Sequence, residues 1–252
     1  MNRIPYIKTT VKAGKTIEIH KGYSARLGKH EARSGRRKAT PEEMQKVNEQ
    51  NAARKLRRLI NANFECGDYH LVLTYARDKR PDPKEANERI TKFIRKLRNE
   101  YKKNYEYLKY VHVTEYKTKA IHHHLVINDI DGINVTKIIR KLWVYGGTHF
   151  TPLDDTGNYR KLADYLIKET SKTFRERDGG HMQRYSCSRN LIKPVVKREV
   201  IKRAEAWAKD PRPIKGYYVD KDSIENGIGW DGRPYQRYTL IQLEYEKLER
   251  CG

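Results

Sequence analysis

Three consecutive histidines, His122-His123-His124, stand inside an otherwise aliphatic run from Ile121 to Ile127. In an extended strand alternate side chains share a face, so His122 and His124 project together while His123 points away. Two imidazoles on one face can hold a divalent ion. A third ligand follows from register. If Tyr116 pairs with Ile121 across the loop 117–120, Glu115 lies opposite His122 and Val113 opposite His124. Directly opposed residues share a face, with Cβ atoms about 5 Å apart. His112 has the wrong parity and drops out. One carboxylate and two imidazoles form a borderline-hard donor set that leaves positions open for water or a phosphate oxygen, which suits Mn²⁺ or Mg²⁺. A slip of one residue would turn Glu115 to the other face.

A second group lies further on, in Asp164-Tyr165-Leu166-Ile167-Lys168. Residues three apart on a helix are neighbours, so Tyr165 and Lys168 share a side. A phenol is a poor nucleophile at its ordinary pKa of about 10. Once deprotonated it can attack phosphorus and stay attached as an ester, conserving the bond energy for rejoining. A nearby lysine can polarise the phosphate or stabilise the departing charge.

The elements that position these groups are legible from pattern. Residues 69–75 predict a buried strand. Thr40-Pro41-Glu42-Glu43 predicts a capped helix running to about Ile60, and Asp82-Pro83-Lys84-Glu85 starts another with Ala86, Ile90, Phe93, Ile94, Leu97 and Tyr101 on one face. Strands are expected at 107–116 and 120–127, a helix capped by Asn134, a short strand at 148–152 and a helix from about Asn158 to Lys172. The order is strand, helix, strand, strand, helix, strand, helix. Two successive strands make an antiparallel pair, so the plan is α+β, an antiparallel sheet flanked by helices. Three regions are expected: a basic arm and helix (1–65), a core (66–175), and a C-terminal extension (176–252). The extension is read as a helix near Lys197–Ala208 and strands at 217–219 and 235–243.

Charge names the partner class. The 252 residues carry 54 Lys and Arg against 32 Asp and Glu, a formal +22. Such a field gathers polyanions, and the 18 tyrosines add stacking faces, so nucleic acid is the expected partner. Candidate phosphate contacts are Arg36, Arg37 and Lys38 in the arm, Arg54, Arg57 and Arg58 on the first helix, and Ser186, Ser188, Arg189 and Asn190 further on. Cys66, Cys187 and Cys251 have no metal-ligand spacing and read as reduced thiols. No apolar stretch suits a signal core or a membrane span, so a cytoplasmic location is expected.

Taken together, Leu73-Thr74-Tyr75, His122-His123-His124 and Tyr165-Leu-Ile-Lys168 resemble the three ordered motifs of the HUH endonuclease superfamily, in particular rolling-circle replication initiators of plasmids and phages. Tyr185-Ser-Cys-Ser-Arg-Asn190 resembles a segment that follows the core in such initiators. His123 departs from the pattern, since the middle place is usually bulky and apolar. The resemblance implies His122, His124 and Glu115 as metal ligands, Tyr165 as nucleophile and Lys168 as its helper. It further implies nicking of single-stranded or hairpin origin DNA with a 5′-phosphotyrosine and a free 3′-hydroxyl. Tyr159, six residues before Tyr165, does not share its face, so one working tyrosine is expected. The chain has no nucleotide-binding phosphate loop, which leaves strand separation to a host helicase and extension to a host polymerase. Mobilisation relaxases and single-tyrosine transposases share this chemistry, and a non-catalytic DNA-binding regulator is the alternative from another class. Oligomeric state is not legible.

Overall fold

The computed structural model describes residues 5–23, 40–117, 120–175, 184–201, 208–229 and 232–243. The chain divides into two compact units, one of residues 39–193 and one of residues 1–38 with 194–252. Both described sheets are antiparallel, and the class is α+β.

The unit 39–193 holds helix α1 (Pro41–Asn63), strand β3 (Tyr69–Leu73), α2 (Pro83–Lys103), β4 (Tyr110–Lys117), β5 (Ala120–Ile127), α3 (Val135–Leu142), β6 (Thr148–Pro152), α4 (Arg160–Arg175) and the short β7 (Ser186–Cys187). Strands β1 and β2 precede it in the chain and belong to the other unit. The sheet order is β6-β3-β5-β4-β7. Local signals start the helices. Thr40 caps α1 in a reciprocal box with Glu43, Asp82 caps α2 through the Glu85 amide, and Asn134 caps α3 through the Lys137 amide.

Pleating then sorts the strand residues into two cores. Leu71, Leu73, Ile121, Leu125 and Ile127 face α2 and α3, meeting Ile90, Phe93, Leu97, Ile139 and Trp143. Val111, Val113 and Val126 face α1 and α4, meeting Leu56, Ile60, Ala163, Leu166 and Ile167. Each fully buried aliphatic side chain contributes on the order of 1.5–3 kcal/mol. The functional face is the second one.

The other unit is a sheet of order β8-β1-β2-β10-β9, from β1 (Tyr6–Ala13), β2 (Thr16–Tyr23), β8 (Val195–Ile201), β9 (Tyr217–Ile228) and β10 (Pro234–Gln242). Ile19, Tyr238 and Leu240 form its buried centre. Two expectations change here. Residues 6–23, read as part of a flexible arm, form a hairpin turned at Gly14, whose φ of 54° suits glycine. Residues 195–201, read as part of a helix, form β8, because Val195, Val196, Val200 and Ile201 are β-branched and pair with β1. Residues 202–207 lie outside the described ones, as do Arg36, Arg37 and Lys38. The compact units also cut the chain differently from the expected 1–65, 66–175 and 176–252: α1 joins the core, and the arm joins the C-terminal strands. Among the described residues no helix is long and apolar enough to cross a membrane.

Candidate functional site

Register decides which side chains meet. On β4 and β5, Tyr116 pairs with Ile121, Glu115 with His122 and Val113 with His124. Glu115, His122 and His124 therefore share the face toward α4. Glu115 Oε2 lies 3.5 Å from His122 Nδ1 and 3.3 Å from His124 Nε2. Glu115 and His124 are each 2% exposed, whereas a quarter of the His122 side chain remains open to solvent. A buried carboxylate is costly unless compensated, and here its oxygen is met by two ring nitrogens.

Tyr165 comes from α4, which packs over this face through Ala163, Leu166 and Ile167. Its ring meets His124 edge-on at 5.5 Å between centroids, and the residue remains 41% exposed. One side of the phenol thus addresses the histidines and the other faces solvent. Lys168 follows one turn later and is exposed. Tyr159 sits just before α4, buried, its hydroxyl donating to the Asp154 carbonyl at 3.0 Å. It is a structural residue.

His70 joins the cluster without having been singled out from sequence. It lies on β3 opposite Val126, on the same face as His124. Its Nε2 is 3.3 Å from His124 Nδ1, the two rings stack at 5.5 Å, and Tyr165 meets the His70 ring at 6.3 Å. Burial, with His124 and His149 nearby, pulls the His70 pKa down to about 4, so the ring is neutral. His149 on β6 shares this face, since Val72 pairs with both His149 and His124. The available signal was parity: His70 is a polar residue at an inward position of an apolar strand.

The donor set can be tested for a metal. Among the described residues no three His, Cys, Asp or Glu side chains stand as a ready metal cage. The spacing is nonetheless compatible. Donors about 2.1 Å from one ion stand about 3.0–3.4 Å apart at neighbouring corners, close to the two Glu115 contacts. His124 also has the partner that metal-ligating histidines need. A proton on Nδ1 directed at His70 leaves Nε2 free to ligate. The residues fit Mn²⁺ or Mg²⁺ chemically.

The opposite face carries a second polar group. His123 is fully buried, with Nε2 at 2.9 Å from the Tyr75 hydroxyl and Nδ1 at 3.1 Å from Thr114 Oγ1 and 3.3 Å from His112 Nε2. His112 Nδ1 reaches Ser186 Oγ at 3.2 Å. Burial keeps His112 and His123 neutral by lowering their pKa values, that of His112 to about 4. Tyr75 is itself fixed by its neighbours. Trp143 Nε1 donates to the Thr74 carbonyl at 2.9 Å, and Gly146 lies so close to Thr74 and Ala76 that a Cβ would sit 2.3 Å from the Thr74 oxygen. The histidine in the middle of the triplet is thus a satisfied core residue that anchors β5.

The expected DNA contacts divide. Arg54, Arg57 and Arg58 are half-buried on α1, with Arg54 Nε donating to the Gln50 carbonyl at 3.2 Å. Ser188 is buried, and its hydroxyl accepts from the Tyr110 amide at 3.1 Å, so it pins β7 to β4 and is not offered to DNA. Ser186 is turned toward His112. Asn190 donates to the Leu108 carbonyl at 3.3 Å, and Arg189 is exposed.

Residues 68–174 match the family model described as replication-associated protein ORF2. No curated protein matches the chain, and no solved structure does.

Proposed function

With residues 68–174 belonging to the replication-associated protein ORF2 family, we propose that the chain starts DNA replication by nicking single-stranded or hairpin origin DNA with Tyr165. The phenolate oxygen bonds to phosphorus and the 3′ oxygen leaves. The product is a 5′-phosphotyrosine on the protein and a 3′-hydroxyl that a host polymerase can extend. One observation carries this reading: the Tyr165 ring stands 5.5 Å from His124, on the face where Glu115 Oε2 joins His122 and His124.

The roles of the side chains follow from their places. His122, His124 and Glu115 would hold Mn²⁺ or Mg²⁺, which when bound polarises a phosphate oxygen and offsets its charge. His70 keeps the His124 proton on Nδ1 and the ring in place. The apolar packing of Leu166 and Ile167 holds α4, and so Tyr165, over the sheet. Lys168 brings a cation to the charge that develops on the phosphate oxygens. The exposed side of Tyr165 admits the strand from solvent. With one working tyrosine, a second cleavage draws on another protomer or on water. A host helicase separates the strands, and the work is cytoplasmic.

The test is incubation of the chain with labelled single-stranded origin DNA and Mn²⁺. A covalent adduct that vanishes in Tyr165→Phe and after chelation supports the reading. An adduct that persists in Tyr165→Phe moves the nucleophile elsewhere, and no adduct under any metal makes the chain a DNA-binding regulator.

A further inference from the structure

The turn after α2 carries a strained tyrosine. α2 ends at Lys103, with Asn104 as its cap and Tyr105 next. The Tyr105 amide donates to the Lys102 carbonyl at 3.1 Å and the Glu106 amide to the Tyr101 carbonyl at 3.0 Å. This is the paired-bond helix ending that places its next residue in the left-handed region, where glycine is usual. Tyr105 holds φ at 58°, and among the described residues it is the non-glycine with positive φ. For a residue with a Cβ that conformation is unfavourable, and packing normally compensates. Here it does not: Tyr105 is 97% exposed.

The turn is nevertheless rigid. The Asn104 side chain donates to the Glu100 carbonyl at 2.8 Å, and the Tyr107 amide donates to Glu106 Oε1 at 2.9 Å. The Asn128 side chain donates to the Tyr107 carbonyl at 3.3 Å and accepts from the Lys109 amide at 2.8 Å. A second ring, Tyr107, is 70% exposed two residues on. Lys102 and Lys103 are exposed beside them, Lys103 paired with Glu100 at 2.7 Å. Asn190, bonded to Leu108, brings exposed Arg189 to the same place.

We propose that Tyr105 and Tyr107 form a stacking platform for bases of single-stranded DNA, with Lys102, Lys103 and Arg189 meeting its phosphates. A phenol ring offers a face to any base, and rings among cations on a rigid turn suit an unpaired strand. The platform lies at the Tyr110 end of β4, whereas Glu115 is five residues on, about 16 Å at strand rise. It would grip the strand several nucleotides from the nick. The inference rests on the reading of the chain as an enzyme of single-stranded DNA.

The test measures fluorescence anisotropy of labelled oligothymidylate with the full chain in a Tyr165→Phe background, which removes cleavage. Tyr105→Gly is expected to weaken affinity roughly ten-fold or more without lowering Tm, because glycine accepts the left-handed conformation. Tyr105→Phe keeps the affinity. Unchanged affinity in Tyr105→Gly overturns the platform, as does a shift from dimer to monomer with affinity intact, which would give the turn to a second copy. A fall in Tm overturns the claim that the ring is unpacked. The two readings fail separately. A native chain that forms no adduct, while Tyr105→Gly still loses oligothymidylate, removes the nicking and leaves the platform.

Discussion

His70, His112 and His123 are neutral in the folded chain because burial penalises their charged forms, His70 and His112 titrating near 4 and His123 well below its ordinary value. Unfolded, each takes up a proton near 6.5. The folded pKa is the lower one, so the unfolded chain binds more protons between about pH 6.5 and 4, and stability falls as pH falls through that window. Each histidine contributes up to about 1.4 kcal/mol per pH unit there. Urea unfolding at pH 7 and at about pH 5 checks this: the midpoint should drop on acidification, and an equal midpoint contradicts it. Tyr75→Phe removes the hydroxyl at His123 Nε2, 2.9 Å away, and should cost roughly 1–3 kcal/mol by the same assay. A cost near zero would mean that the contact is not holding β5. Glu115 was legible in the sequence because the loop between β4 and β5 is short and parity does the rest. His70 was not, because its partner His124 is 54 residues away and strand pairing at that separation leaves no local mark.

Helix α4 sets the position of the phenol, and its seat is apolar. Leu166 is buried against Val111, Val113 and Val126 of the sheet and Leu56 and Ile60 of α1. Leu166→Ala should destabilise the chain by about 2–5 kcal/mol and lower adduct formation by more than the unfolded fraction explains, because the neighbouring Tyr165 loses its support. Adduct yield that tracks only the folded fraction would show that α4 is not what aims the ring. Capping signals and apolar periodicity made the α2 and α4 elements legible, since those are local. The hairpin of β1 and β2 was hidden because its outer partners are β8 and β10, near residues 200 and 240. β8 carries Lys197, Arg198 and Glu199 between its valines, a polar run that resembles a helical stretch until its pairing with β1 is known.

A net charge of +22 predicts binding that weakens steeply with salt, as each neutralised phosphate releases counterions. Replacing Arg54, Arg57 and Arg58 with alanine should make the slope of log affinity against log salt shallower by up to about 2 for single-stranded DNA. An unchanged slope would remove α1 from the binding surface. The same experiment on Arg36, Arg37 and Lys38 addresses the arm. Charge announced a nucleic-acid partner at once, but it is spread too evenly to name a surface, and only the placement of Tyr165 over the Glu115–His122–His124 face suggests where chemistry occurs. That placement can be tested at the bond itself. Native chain is reacted with origin single strand and Mn²⁺, digested with nuclease and protease, and the modified peptide is sequenced by mass spectrometry. The nucleotide mass should sit on Tyr165 of α4; a nucleotide on any other tyrosine, or none on an active preparation, contradicts the assignment.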